Sequence, residues 1–323
     1  MSQNNTHNTI IYAGVDVAKA KLDLSFLGTR HTVPNDAKGH QKLLGIIQTS
    51  SAPATAQLQI ILEATGGYEA ALCASLHAAA VRLSIIQPAR VRYFARALNQ
   101  HAKTDAIDAD VLTAFGNAVR PAPMQPPREQ TVRLAEIVTR RSQLVETKVQ
   151  HNNYAEHYRD KLPIKQTRQI LALLEKQIAA CDAAIAQQIA DDAEMASASQ
   201  RMQQAPGVGP VTAAKLIAYM PELGSLRPEA AAALAGVAPY NNDSGPRQGT
   251  RSIRGGRKEV RTALYMATLS AVKHNAVLKE FYMRLRAAGK KPLVALTAAM
   301  RKHIVLLNHM LKHPQFVLKT ELP

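Results

Sequence analysis

Apolar residues in the first third of the chain come in short runs that switch between strand and helix spacing. IIYAGVDVAK and KLDLSFLG, from residue 10 onward, read as a pair of strands, with RHTVP a candidate third. A helix is predicted over 36–48, LQIILEATG as a buried strand, a helix over 68–80, and VRLSIIQP as a strand ended by Pro88. Helices are predicted over 89–98 and 104–118. A hairpin followed by alternating strands and helices predicts a mixed sheet flanked by helices. PAPMQPP at 121–127 breaks the pattern and marks a domain boundary. Two long helices follow, over 128–160 and 165–200, parted around Pro163. In the second, Leu171, Leu174, Ile178, Cys181 and Ile185 recur at spacings of three and four, an a/d seam that serves either packing within the chain or dimerisation. From Arg201 a mostly helical domain begins. APGVGPVTAAKLIAYM turns into a helix, EAAAALAGVAPY forms a second ending at Gly236, and a Gly- and Arg-rich loop covers 241–257. Helix 258–274 and at least one more basic helix complete the chain. The expected domains are 1–120, 121–200 and 201–323.

Composition adds a direction. Aromatic residues make up only 4% of the 323 residues, with no tryptophan, which leans toward helices. Forty Lys and Arg against 24 Asp and Glu leave a formal charge of +16. Most of that excess lies between Ser244 and Lys302, where 14 basic residues face only Glu259 and Glu280. So concentrated a charge points to a polyanionic partner held by counterion release. Cys73 and Cys181 sit in alanine-rich helical patterns and predict neither a disulfide framework nor a zinc site. The polar opening MSQNNTHNTI lacks the order of a signal peptide. No apolar run approaches the roughly 20 residues needed to span a bilayer. A cytoplasmic protein without membrane contact is expected.

Asp16 lies between Val15 and Val17 in an apolar strand, where a carboxylate is costly unless paired. Lys19 is one candidate partner. Glu63 closes a second buried strand just before Gly66 and Gly67. Asp105 and Asp108 are spaced to share one helix face, where they repel unless a cation lies between them; an acid-rich helix start after Thr104 is the plainer explanation. Asp110 points elsewhere. Oxygen ligands from two strands and one helix suit Mg2+ or Mn2+ and two-metal phosphodiester chemistry. Arg82, Arg90, Arg92, Arg96 and Lys103 precede the aspartates with no acid among them and could hold phosphates there. Ser244 is a second candidate centre. It is surrounded by Arg247, Arg251, Arg254, Arg257 and Lys258, with Arg261 on the following helix and Gly249, Gly255 and Gly256 permitting close approach. Tyr240 is a rival nucleophile that fits better as a packing residue. Gly207 and Gly209, in Pro206-Gly207-Val208-Gly209-Pro210, resemble a helix-hairpin-helix turn that binds phosphate through backbone N–H groups.

The order of one Asp, one Glu and two Asp resembles the ribonuclease-H-like fold of RuvC-type nucleases. More specifically, GVDVAKAKLDL, LEATGGYE and KTDAIDADVL resemble the DEDD transposase domain, and PGVGPVTA, AGVAPYNNDSG and RGGRKEVRTALYMATLSA resemble its C-terminal partner. Together they are similar to the IS110 family of insertion-sequence recombinases, which includes the pilin-gene invertases. The resemblance implies an α/β RuvC-like domain, a helical hairpin or coiled coil, and a mostly α domain bearing the serine. It also implies a transposase that cuts and rejoins DNA through a 5′-phosphoserine. Asp16, Glu63, Asp105 and Asp108 would bind metal, and Ser244 would be the nucleophile. The implied partners are donor and target DNA, a structured bridge RNA, and further copies of the chain as a dimer or a synaptic tetramer. The alternative is a RuvC-like structure-specific endonuclease that hydrolyses DNA with the four acids alone.

Overall fold

The first strand, β1 (Ile10–Val17), is buried on both faces, as its sequence dictates: Ala13, Val15 and Val17 point one way, Tyr12, Gly14 and Asp16 the other. The computed structural model describes residues 10–49, 57–100, 105–241, 249 and 251–318, with only the backbone of 105–107. By contacts the chain divides into two compact units, Met1–Pro126 and Pro127–Pro323, so the division falls inside the PAPMQPP break.

In the first unit, β1 pairs antiparallel with β2 (Lys21–Phe26), which pairs antiparallel with β3 (Thr29–Pro34). The β2–β3 hairpin turns on Leu27 and Gly28, both at positive φ, which matches the twist of the flanking strands. After α1 (Ala37–Gln48), the chain returns as β4 (Gln57–Glu63), parallel to β1. It then passes through α2 (Ala70–Ala78) to β5 (Arg82–Ile86), parallel to β4. The resulting sheet has the order β3-β2-β1-β4-β5. Leu43 and Ile47 of α1 and Leu72, Cys73 and Leu76 of α2 cover one face, over Ala13, Val15, Leu24, Ile60 and Leu62. The other face, with Tyr12, Ile61 and Ile86, is covered by α3 (Pro88–Ala97) and α4 (Asp105–Val119) through Val91, Val111, Leu112 and Phe115.

Glycine sets how closely α4 approaches. A Cβ on Gly14 would stand 2.1 Å from the Ala109 carbonyl oxygen, and one on Gly116 would stand 2.7 Å from Tyr12 Cβ. The Gly14 N–H also donates to Thr113 Oγ1 at 2.8 Å. Because Gly116 lies over Tyr12 and Ala109 over Gly14, α4 runs opposite to β1. Its first turn therefore lies toward the end of β1 that carries Asp16.

The second unit opens with α5 (Glu129–Ala155) and α6 (Lys161–Ala190), packed as an antiparallel hairpin. Pro163 does not separate the helices as predicted. It sits in the first turn of α6, where no intrahelical N–H bond is lost, and Asp160 caps that turn at the Leu162 N–H. The two helices part slightly earlier, over residues 156–160, and a further, unpredicted break falls where Asp192 caps α7 (Ala193–Gln203) through the Glu194 and Met195 N–H groups. The predicted seam faces into the chain: Leu174 and Ile185 are buried, and Ile185 packs with Leu134 and Val138 of α5. Beyond it come α8 (Pro210–Tyr219), α9 (Pro228–Leu234), a short hairpin of β6 (Pro239–Tyr240) and β7 (Ser252–Ile253), and α10 (Lys258–His274), α11 (Ala276–Ala287) and α12 (Pro292–Lys312). Their core joins Met202, Leu216, Val237, Leu264, Met300, Ile304 and Leu307. Among the described residues no helix is long and apolar enough to cross a membrane.

Candidate active site

Strand register brings the first two predicted acids side by side. β1 and β4 are parallel, with Val15 opposite Leu62, so the next step along both strands sets Asp16 beside Glu63 on one face. On the other side of Asp16 stands Asp23 of β2, and beyond Asp23 stands Thr32 of β3. Asp16 and Glu63 are half-buried, as is Asp108 in the first turn of α4, and none of the three is without a partner. The backbone of Asp105 begins α4, but its side chain lies outside the described residues. Among the described residues no group of three or more His, Cys, Asp or Glu side chains is arranged to hold a metal ion. What the fold does bring to one end of the sheet is two in-register carboxylates under the helix end that bears the two aspartates. Carboxylate oxygens are the hard donors that Mg2+ and Mn2+ select.

The row also contains an acid that sequence reasoning passed over. Asp23 is buried and already paired, with Lys21 Nζ at 3.0 Å and Thr32 Oγ1 donating at 2.5 Å. Asp110 is ion-paired with Arg30, whose Nε donates to Asp110 Oδ2 at 3.0 Å, so it is occupied away from the row. Glu69 organises the loop that follows Glu63. Its Oε2 accepts from Thr65 Oγ1 at 2.5 Å and from the N–H groups of Gly67 at 2.9 Å and Thr65 at 3.3 Å. Burial pushes the Glu69 carboxyl up, but these hydrogen bonds outweigh it and hold the group below the usual carboxylate range.

Arg90, Arg92 and Arg96 all lie exposed on α3 beside this end of the unit. The Arg90 guanidinium stands 5.4 Å above the Phe115 ring, and Arg92 Nε donates to the Pro88 carbonyl at 3.4 Å. Arg82 is hydrogen-bonded to Gln57. Lys103 lies outside the described residues.

In the second unit, the segment predicted as loop 241–257 contains a strand. Pro239 pairs with Ile253 and Tyr240 with Ser252. Ser244 and Arg247 lie outside the described residues. Tyr240 is exposed, with the Arg254 guanidinium 5.7 Å from its ring centre. Arg251, Arg254 and Lys258 are exposed. Arg261 Nη1 donates to the Gly255 carbonyl at 2.7 Å.

Arg257 departs from expectation. Its Nη1 and Nη2 donate to Glu222 Oε2 and Oε1, both at 2.7 Å, and Nη1 also donates to the Tyr219 carbonyl at 2.9 Å. The hydrogen bonds that Arg257 donates to Glu222 raise the Arg257 pKa and lower that of Glu222. Arg257 is thus committed to holding the loop, not a phosphate. Gly256 supports the same junction, since a Cβ there would stand 2.2 Å from the Gly236 nitrogen. Gly207 has a packing role as well: a Cβ on it would stand 2.2 Å from the Ala267 carbonyl oxygen of α10. Gly209 caps α8 ahead of Pro210, with no atom crowding it.

With these arrangements in view, comparison with known proteins is informative. Residues 13–158 match the DEDD transposase model of IS110 elements, and residues 199–283 match the model described as transposase, IS116/IS110/IS902 family. The pilin gene-inverting protein of Moraxella bovis is 27% identical, with 91% of this chain and 94% of the relative covered. Its counterpart in Moraxella lacunata is likewise 27% identical over the same shares. An insertion element IS110 uncharacterized protein of Streptomyces coelicolor is 33% identical across 34% of this chain and 28% of its own length. Sheet, acids, basic segments and matches together define an enzyme of DNA recombination or transposition, of a class that works with divalent metal ions. Two models of one family lie in order along the chain, which belongs to the IS110-family transposases.

Proposed function

We propose that this transposase cuts and rejoins DNA at a composite centre, with divalent-cation ligands Asp16, Glu63, Asp105 and Asp108 on a ribonuclease-H-like, RuvC-type domain and the nucleophile Ser244 on the C-terminal domain. Three regions, 1–120, 121–200 and 201–323, divide the labour as acidic domain, helical spacer and serine-bearing domain. Mg2+ or Mn2+, when bound, supplies Lewis acidity at the phosphate oxygens. Ser244 Oγ replaces the 3′-oxygen at phosphorus, giving a 5′-phosphoserine and a 3′-hydroxyl that takes up a proton as the serine loses one. Reversal on a new 3′-hydroxyl rejoins the strands, so the energy of the phosphodiester is kept. Exposed Arg251, Arg254 and Lys258, with Arg247, hold phosphates near the serine, and Arg90, Arg92, Arg96 and Lys103 hold them near the acids.

The observation that carries this reading is the register of Asp16 with Glu63 beneath the first turn of α4. The basic, aromatic-poor chain further supports a protein that holds phosphates while a bridge RNA pairs with donor and target DNA. Four strands must be handled, which favours a dimer and a synaptic tetramer. The direct test incubates the full chain with DNA carrying its element's ends, bridge RNA and Mg2+. Wild type is expected to yield a protein–DNA adduct resistant to denaturant. Ser244→Ala and Asp16→Asn are expected to lose it while still binding RNA. Cleavage that persists in Ser244→Ala with free 5′-phosphates would instead mean hydrolysis by the acids alone.

A further inference from the structure

Asp16 is the penultimate residue of β1 and Glu63 the last of β4, so the chain leaves the sheet into a turn just beyond each. One side chain ties both turns together. Asn35 follows β3. Its Nδ2 donates to the Ala18 carbonyl at 2.9 Å, two residues beyond Asp16, and to the Tyr68 carbonyl at 3.1 Å, in the loop after Glu63. Its backbone N–H donates to the Ala20 carbonyl at 3.1 Å, closing the same β1–β2 turn, whose Ala18 N–H donates to the Lys21 carbonyl at 2.9 Å. The Tyr68 loop is folded in turn around Glu69.

Asn35 is itself held. Because both Nδ2 hydrogens go to carbonyls, Oδ1 is the acceptor, and the group that meets it at 3.0 Å, His40 Nε2, is the donor. His40 is buried on α1, with Nδ1 3.2 Å from Ser75 Oγ of α2, and that hydroxyl lies 3.0 Å from the Ala71 carbonyl. A continuous path of hydrogen bonds therefore runs from two helices, through one amide, to the turns behind both in-register acids. Metal ligands must be held to within about 0.5 Å to select and bind their ion, and partners outside the ligand set do that holding.

We propose that Asn35, oriented by His40, is a positioning residue that clamps the two strand ends carrying Asp16 and Glu63 and so presets the divalent-cation site. The proposal rests on the carboxylate reading given above and is tested apart from it. Mn2+ binding to the full chain, without nucleic acid, is measured by titration calorimetry and by the loss of the free-ion resonance signal. Asp16→Asn establishes that the bound ion belongs to the acidic set. Asn35→Asp keeps the shape of the side chain but removes both donors, and it is expected to weaken Mn2+ binding about tenfold or more. His40→Gln is expected to weaken it less, since the two carbonyl contacts survive. Gln59→Ala serves as the comparison for lost stability alone. Gln59 is a buried amide on the same strand as Glu63, bonded to Ser84 Oγ at 2.9 Å and the Pro121 carbonyl at 2.7 Å, and its loss is expected to lower the melting temperature with Mn2+ binding unchanged. Weakened binding in Asn35→Asp at a melting temperature no lower than that of Gln59→Ala supports the clamp. Unchanged binding in Asn35→Asp, with Asp16→Asn still abolishing it, overturns the clamp alone. Wild-type protein that binds no Mn2+ through Asp16 overturns the carboxylate site and the clamp with it.

Discussion

Removal of the Arg257 side chain leaves the Glu222 carboxylate, half out of solvent, without both of its donors, and frees the Tyr219 carbonyl as well. The pair is about one third exposed, so solvent screens it, and an expected loss of about 1–2 kcal/mol follows from the hydrogen bonds more than from the charge. Arg251, six residues earlier in the same basic run, is exposed. Arg251→Ala is expected to leave stability unchanged and to weaken DNA binding with a shallower salt dependence. Urea denaturation and binding at two salt concentrations separate the two residues; equal stability losses would contradict the division. Nothing in RGGRKEVR distinguishes them, because the acid that claims Arg257 lies 35 positions upstream. For the same reason Asn35, Glu69 and Asp23 escaped notice: each acts through a partner set by folding, not by spacing. Asp16 and Glu63 were legible because a carboxylate in an apolar strand is conspicuous wherever it folds.

Elements followed the apolar pattern wherever period and punctuation agreed. Helix α10 has the predicted bounds, β1 and β5 fall within their predicted runs, and β4 starts one residue ahead of its own. The misreadings lie at helix ends. Proline is tolerated in a first turn, so Pro163 lies inside α6, and Asp192, within the predicted helix 165–200, is a cap. The β6–β7 pair, two residues a side, is too short for alternation to announce it. Between α10 and α12 a polar contact is buried in the core: Thr268 Oγ1 lies 3.0 Å from His303 Nδ1, and His303 Nε2 has no hydrogen-bond partner among the described residues. Burial lowers the His303 pKa from its ordinary 6.5 to about 4. The unfolded chain therefore binds this proton first on acidification, and stability is lost as pH falls from about 6.5 to about 4, on the order of 3 kcal/mol at most. His303→Leu is expected to flatten that part of the profile, measured as urea midpoints at pH 7 and 4.5. An unchanged difference between the two midpoints would show that other groups set it.

At the scale of the molecule, the chain consists of two compact units. The first builds a sheet whose one end collects acids, and the second is a mostly helical body that carries most of the excess positive charge, between Ser244 and Lys302. The sequence pattern predicts three regions, 1–120, 121–200 and 201–323, where contacts divide the chain into two, with the boundary in the proline-rich break. That pattern could not show which cations are spent on the fold, since ion pairs such as Arg128 with Asp192 and Arg141 with Asp182 form only between helices brought together by packing. The account depends on the acids and the serine acting on one phosphodiester, and peptide mapping of the trapped adduct tests that most directly. DNA-linked chain formed with Mg2+ is digested with protease and nuclease, and the residual nucleotide is located by mass spectrometry. The expected result is a nucleotide phosphate on the peptide containing Ser244, absent when the cation is chelated and absent from Glu63→Gln. A modified Tyr240, or an adduct that forms equally well without the cation, would contradict it.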